Sequence, residues 1–248
     1  MFTTNGEVHH GGIQNELDVI DVLNKANVYA TPVVHAGGTQ NKADAVAGDI
    51  GISIKRKKNL KNGSYDYLNS TIPVASLPDI EYLNELVQGI PAMEQTEVNK
   101  TVAKHAFNAS SSFVLDGLDS DTLTDIVSHT FEAQSGMDIA ITDQSTDTLY
   151  LFSADEMEVP RLLDEGYKAT IVKTNNVSTS RKVVFVKDGD IVDTGLRIRL
   201  VLNNGVGALM GMSKANKTSS VVVKIQQDKV SKMVSNTPHK VLAMTEGK

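Results

Sequence analysis

Cysteine is absent from the 248 residues. That excludes disulfides and thiolate metal sites, and it suits a cytosolic setting. Tryptophan is also absent and aromatics make up 5% of the chain, so the aromatic platforms on which single-stranded nucleic acids stack are poorly supplied. No run of about eighteen apolar residues occurs, so no transmembrane helix is expected. The opening Met1-Phe-Thr-Thr-Asn-Gly6 lacks the basic-then-apolar pattern of a secretion signal. The expectation is a cytoplasmic location with no membrane partner. Bases are scarce in the middle of the chain: residues 79–166 hold 3 against 18 acids.

What is present is globular in kind. Apolar residues make up 40% and charged residues 22%, and this length can bury a good core. The net charge of −6 hides an asymmetry. Residues 1–78 carry 7 acids and 7 bases, whereas 167–248 carry 5 acids and 14 bases. By total charge, nucleic acid is a poor partner. By segment, the C-terminal third suits a phosphate-facing surface. The plainer reading is that acidic helices and basic strands offset each other.

Periodicity predicts a helix over 13–26, with Ile13, Leu17, Ile20 and Leu23 or Asn24 as one apolar stripe. A short strand follows over 28–34, an edge or strand end because of Pro32. Helices are predicted from 78 to 88, over 98–107 and over 121–133, with Ser120 or Asp121 capping the last. Ser110-Ser-Ser112 and Gly117 are read as separators. Strands are predicted over 138–142, 148–152, 168–173, 182–186, 196–202 and 220–225. The order suggests one α/β domain, a mixed β-sheet flanked by helices. Its core would be 1–78 and 136–248, with an acidic helical insertion at 79–135.

The most informative stretch is Asn41-Lys-Ala-Asp-Ala-Val-Ala-Gly-Asp-Ile-Gly-Ile-Ser-Ile-Lys-Arg-Lys-Lys58. It reads as a hairpin of 43–47 and 50–56 closed by Gly48-Asp49. Ala47 then faces Ile50, Asp44 faces Ser53 and Lys42 faces Lys55. Lys42, Asp44, Ser53 and Lys55 share one face, and Ala43, Ala45, Ile52 and Ile54 share the other. A one-residue slip would put Lys55 among the isoleucines. A carboxylate able to hold a cation, a nearby lysine and a basic surface leading in are the parts needed to cut a phosphodiester. An ordinary cross-strand ion pair, worth about 0–1 kcal/mol if exposed, would look the same in sequence.

Asp44, eight residues, then Ser53-Ile54-Lys55 resembles the core of the PD-(D/E)XK nuclease superfamily, the fold of many type II restriction endonucleases. In that family a hairpin aspartate and an acid-x-lysine on the next strand form the metal site. The first helix often adds a glutamate, and Glu16 in Gly11-Gly-Ile-Gln-Asn-Glu-Leu17 stands in that place. The resemblance covers roughly residues 5–70 and implies a restriction-endonuclease-like fold and Mg²⁺- or Mn²⁺-dependent hydrolysis of DNA. It implies Asp44, Lys55, Glu16 and Ser53 as catalytic positions, and Asp44, Glu16 and the Ile54 carbonyl as metal ligands. One departure stands out. Ser53 occupies the place of the acid, and a hydroxyl is a poor substitute for an anionic ligand. Glu16 is the first candidate to compensate, with Glu81 and Glu85 as alternatives.

The basic run Arg56, Lys57, Lys58 and Lys61, together with Lys42, reads as a phosphate-binding element beside the hairpin. Arg197 and Arg199 share one strand face, and Ser219, Ser220, Lys224 and Gln226 lie on or beside a later strand. They form the expected DNA-reading surface, since arginine and glutamine suit base edges and serine and lysine suit phosphates. His9, His10 and His35 are read as surface residues. Cleavage of both strands would make a homodimer the natural assembly. Two other readings stand beside the nuclease: a catalytically silent DNA-binding or structural protein, and an acidic interaction module.

Overall fold

The computed structural model describes residues 5–36, 43–62, 65–66, 72–210 and 217–244, with side chains from residue 12 onward apart from that of Asp66. The helices are α1 (Asn5–Lys25), α2 (Tyr82–Gln88), α3 (Glu97–Gly117), α4 (Ser120–Glu132), α5 (Glu158–Asp164), α6 (Gly207–Met210) and α7 (Val230–Asn236). The first strands are β1 (Val33–His35), β2 (Ala45–Ala47), β3 (Ile50–Lys57), β4 (Tyr65–Asp66) and β5 (Ile72–Pro73). Then come β6 (Asp138–Asp143), β7 (Thr148–Ser153), β8 (Lys168–Val172) and β9 (Ser180–Lys187). The last are β10 (Asp190–Val192), β11 (Leu196–Leu202), β12 (Ser219–Ile225) and β13 (Lys240–Ala243). The fold is mixed α/β. No helix among the described residues is long and apolar enough to cross a membrane.

The chain forms two compact units: Met1–Ser64, Phe131–Arg161 and Gln227–Lys248 in the first, Tyr65–Thr130 and Leu162–Gln226 in the second. The sequence suggested a different grouping, with 79–135 inserted into everything else. The difference arises because residues 162–226 build a second sheet that groups with the helices of 79–130.

In the first unit the sheet order is β1-β2-β3-β6-β7-β13. β3 and β6 run parallel, and all the other neighbours run antiparallel. α1 covers one face. Val19, Val22 and Leu23 pack on Val33, Ala45, Ala47, Ile52, Ile54, Ala140, Leu149 and Leu151. Each valine, leucine or isoleucine among them contributes about 1.5–3 kcal/mol when fully buried. The buried stripe is Asn15, Val19, Val22 and Leu23, while Ile13 and Leu17 stay 38% and 45% exposed. The expected stripe was half right: Leu23 is buried and Ile20 packs on this core, whereas Ile13 and Leu17 turn outward. A buried hydrogen bond explains the helix rotation chosen: Thr142 Oγ1 donates to Asn15 Oδ1 at 2.9 Å. Asn24 fastens β1, its Oδ1 accepting from Val33 N–H at 2.7 Å and its Nδ2 donating to Val33 O at 2.9 Å.

The hairpin has the expected register, Ala45 opposite Ile52 and Ala47 opposite Ile50. Gly48 sits at φ 61°, the positive value that the first position of a type II′ loop requires. By strand alternation, α1 covers the face carrying Ala45, Ile52 and Ile54. Asp44, Ser53, Lys55 and Lys57 belong to the opposite face, with Ile139, Ile141 and Asp143 of β6 beside them in register.

At the far end of β6, Asp143 is 6% exposed. Its carboxylate accepts from Ser145 Oγ at 2.6 Å, Ser145 N–H at 2.9 Å and Leu60 N–H at 3.2 Å. Burial pushes its pKa up, but these donors outweigh burial and hold it below the usual range. A depressed folded-state pKa gives stability that is present above the unfolded value, about 3.9, and lost as pH falls through the folded one. Asp143→Asn should therefore flatten the acid limb of a melting-temperature profile. A variant that kept the wild-type acid limb would refute this.

In the second unit the sheet order is β10-β9-β11-β12-β4, with β5 also on β12 and β8 on β9. β11 and β12 pair over seven positions, from Leu196–Ile225 to Leu202–Ser219. Ile198, Leu200, Val221, Val223, Val183 and Phe185 are fully buried on one face. α3 runs straight through Ser110-Ser-Ser112, where a break was expected. Ser110 Oγ donates back to Ala106 O, and Ser112 Oγ donates to Ser178 O and accepts from Ser178 N–H. Ser110 thus bonds within the helix, and Ser112 binds the helix to the chain leading into β9. α4 is capped by Asp119, not by the expected Ser120 or Asp121, through Thr122 N–H at 2.8 Å. The edge strand β8 is closed by α4: Ser120 Oγ donates to Ala169 O, and Thr124 Oγ1 accepts from Ala169 N–H.

Candidate functional site

β2 starts two residues later than expected, so Asp44 lies just before it, where the paired register stops at Ala45–Ile52; it still meets Lys55. Lys55 Nζ lies 3.9 Å from Asp44 Oδ2, and the two side chains are 23% and 26% exposed. Asp44 also accepts from Ile54 N–H at 2.6 Å, while its own N–H donates to Ile52 O. The carboxylate thus takes the place of a backbone acceptor where the β2–β3 ladder ends. Within a strand, a residue's N–H and C=O point to the same side, so the Ile54 carbonyl faces the edge that Asp44 occupies.

Ser53 shares this face and is 1% exposed, and its Oγ has no hydrogen-bond partner. Such a hydroxyl costs stability. Ser53→Ala should be neutral or stabilising by up to about 1 kcal/mol in urea unfolding, because no protein bond is lost. A destabilisation of about 2 kcal/mol would show that the hydroxyl has a protein partner after all.

The donors here are carboxylate, carbonyl and hydroxyl oxygens, which fit a hard divalent cation in kind. Among the described residues, no group of three or more His, Asp or Glu comes together as a metal cluster. Glu16 projects from α1, on the sheet face opposite Lys55, and its Oε2 lies 2.8 Å from His35 Nε2. His35 is itself the register partner of Ala45. Glu16 therefore reaches the strand beside the hairpin without joining Asp44 and Lys55 on their face. The pairing of His35 was missed because nothing short-range in sequence links residues 16 and 35.

The basic run divides between faces because β3 continues through Lys57. Lys57 lies with Lys55, opposite Asp143. Arg56 alternates to the α1 side, where its Nε and Nη2 lie 2.7 Å from the Gln144 amide, whose oxygen accepts from both when the amide is turned to face them. Lys58 and Lys61 are exposed. Lys42 lies outside the described residues.

On the second unit, Arg197 pairs in register with Lys224 on one side and Lys182 on the other. Arg197, Arg199, Lys182 and Lys224 share one sheet face, as expected for Arg197 and Arg199. Arg199 is exposed, while Arg197, Lys224 and Gln226 are half-buried. Lys182 is held by Asp193 at 2.7 Å. Ser219 and Ser220 are 1% and 2% exposed, which removes them from any phosphate-contacting surface. Ser220 Oγ instead donates to Asn203 Oδ1, and Ser219 N–H to Asn84 Oδ1.

One further cavity, of about 350 Å³, lies in the first unit and is lined by Tyr29, Asp138, Phe152, Glu156 and His239 among others. Tyr29 OH donates to Asp138 Oδ2. Burial, and then the Asp138 carboxylate, raise the Tyr29 pKa far above its ordinary value, so the phenol stays protonated. Its residues are scattered over the sequence, and none of them forms a motif.

No protein-family model matches the chain, and no curated protein and no solved structure matches it.

Proposed function

We propose that the chain is a metal-dependent DNA endonuclease of the restriction-endonuclease-like kind. The observation that carries this reading is the Asp44–Lys55 pair, 3.9 Å apart, on one hairpin face beside a buried, unpartnered serine hydroxyl. A divalent cation, Mg²⁺ or Mn²⁺, would offset the charge of the scissile phosphate and lower the pKa of the attacking water. Asp44 and the Ile54 carbonyl would hold it. Lys55 would orient the water or stabilise charge developing on the phosphate. Water adds to phosphorus as one ester P–O bond breaks, leaving a phosphomonoester and a free hydroxyl. Arg197, Arg199 and Lys224 offer a cationic face for the DNA backbone, and cutting both strands would call for a homodimer.

Plasmid cleavage in Mg²⁺ tests the reading, with Asp44→Asn and Lys55→Ala as comparisons. One observation favours a second reading, a DNA-binding protein that does not cut: Glu16, the acid expected to compensate for Ser53, is bonded to His35. Intact DNA binding without cleavage by the wild type would select that reading. Absence of DNA binding even at low salt, where phosphate contacts are strongest, would sink both.

A further inference from the structure

α3 carries two apolar stripes. Ala103, Phe107, Val114 and Leu115 form the buried one. Val98, Val102, Ala106, Ala109 and Phe113 recur at spacings of four, four, three and four, and so line a second side of the helix. Val98, Val102 and Phe113 are 72%, 49% and 69% exposed. The middle of this stripe forms one wall of a groove of about 600 Å³, whose other walls include Leu86, Ile90 and Met93. Scattered exposed apolar residues need no explanation, but a stripe running the length of a helix into a groove marks an interaction site.

Charge specifies the occupant. Glu85 lines the groove, Glu81 stands one turn before it, and Glu94 follows Met93. Residues 79–107, the stretch that contains the groove, hold 5 acids and 2 bases. Both bases, Lys100 and Lys104, lie two residues from stripe positions and so point away from the stripe. Lys100 is also paired with Glu97 at 2.6 Å.

We infer that this groove receives an amphipathic helix of a partner protein, apolar along one side and rich in lysine or arginine on its flanks. The inference does not rest on the nuclease reading: the groove's residues lie on α2, on α3 and between them, and Glu81 and Glu85, offered above as alternatives to Glu16, enter here only as charges at the groove.

The test is fluorescence anisotropy of the full chain with labelled amphipathic peptides of about 18 residues, long enough for helix formation. One peptide is built from leucine and lysine, the other from leucine and glutamate. The leucine–lysine peptide should bind saturably and the leucine–glutamate peptide should not. Val102→Asp should weaken binding by about tenfold or more, the loss expected from one valine-sized contact. Leu86→Ser should act in the same direction. Both positions are partly exposed, so the variants should keep the wild-type melting temperature. Glu85→Lys should weaken the lysine peptide and strengthen the glutamate one. No saturable binding, equal binding of both peptides, or binding indifferent to Val102→Asp and Leu86→Ser would overturn the inference. So would a dimer of the chain that Val102→Asp dissociates, because the groove would then belong to a second copy.

Discussion

Lys55→Ala is expected to lower Mg²⁺-dependent plasmid cleavage by about 10²–10³-fold, the loss typical when one electrostatic stabiliser of a transition state is removed. The fold should barely notice. The Lys55–Asp44 pair is partly exposed and 3.9 Å long, and such pairs are worth about 0–1 kcal/mol. Asp44 needs a more careful substitution, because its carboxylate also accepts from Ile54 N–H at 2.6 Å. Alanine would leave that amide without its acceptor, at a cost of roughly 1–3 kcal/mol. Asparagine keeps an acceptor of the same shape and removes only the charge. Asp44→Asn should therefore lose cleavage at near wild-type stability. A purely structural Asp44 predicts the reverse: unchanged cleavage in Asp44→Asn, and loss only in the destabilised alanine variant. Wild-type rates in both Lys55→Ala and Asp44→Asn would end the catalytic reading. Lys55→Arg should rescue little, since the guanidinium fork is larger and points its donors differently.

The hairpin was legible in sequence because three local signals agree there. Gly48-Asp49 sets the loop, alternation sets the faces, and a slip would bury Lys55. The middle strands β6–β9, β11 and β12 were legible for a related reason: each is a β-branched or apolar run bounded by turn residues. The side that α1 buries was legible only toward its C-terminal end, at Ile20 and Leu23, because Ile13 and Leu17 are as apolar as Val19 and Val22. What selects between them is the buried Asn15–Thr142 hydrogen bond, a partner 127 residues away. Glu16 belongs to the same lesson. Its placement on α1 could be read from the chain, but its partner His35 is chosen by how the helix lies on β1. The grouping into two units was hidden likewise. The segment 162–226 reads as more strands of one sheet, and nothing local says that β12 pairs with β4, β5 and β11 instead of extending the first sheet. The short elements β10, β13, α5 and α7 carry too little periodicity to stand out from loops.

Asp116→Ala should be the most destabilising single substitution considered, at about 3–5 kcal/mol, the cost of removing one partner from a buried ion pair. Arg181 is 1% exposed at its side chain and meets Asp116 with both forks, Nε to Oδ1 and Nη2 to Oδ2 at 2.7 Å each. Its remaining donor, Nη1, goes to the Ser178 and Ser180 carbonyls at 3.3 and 3.2 Å. Without Asp116 the guanidinium keeps its charge and has no anion in reach of water to offset it. The partners are not symmetric. Asp116 is 31% exposed and can hydrate, so Arg181→Met should cost less than Asp116→Ala. The double change Asp116→Leu with Arg181→Met should cost less than Asp116→Ala alone, because no charge is then stranded. Acid should act through the same pair. The guanidinium, and to a lesser degree Lys173, hold the Asp116 pKa below the usual carboxylate range against the effect of burial. Its contribution is present above the unfolded value, about 3.9, and is lost as pH falls through the folded one. Urea midpoints at neutral pH, read with the slope checked for constancy, decide the ordering. If Arg181→Met proves costlier than Asp116→Ala, then the arginine's packing, and not its charge, is what the strand depends on.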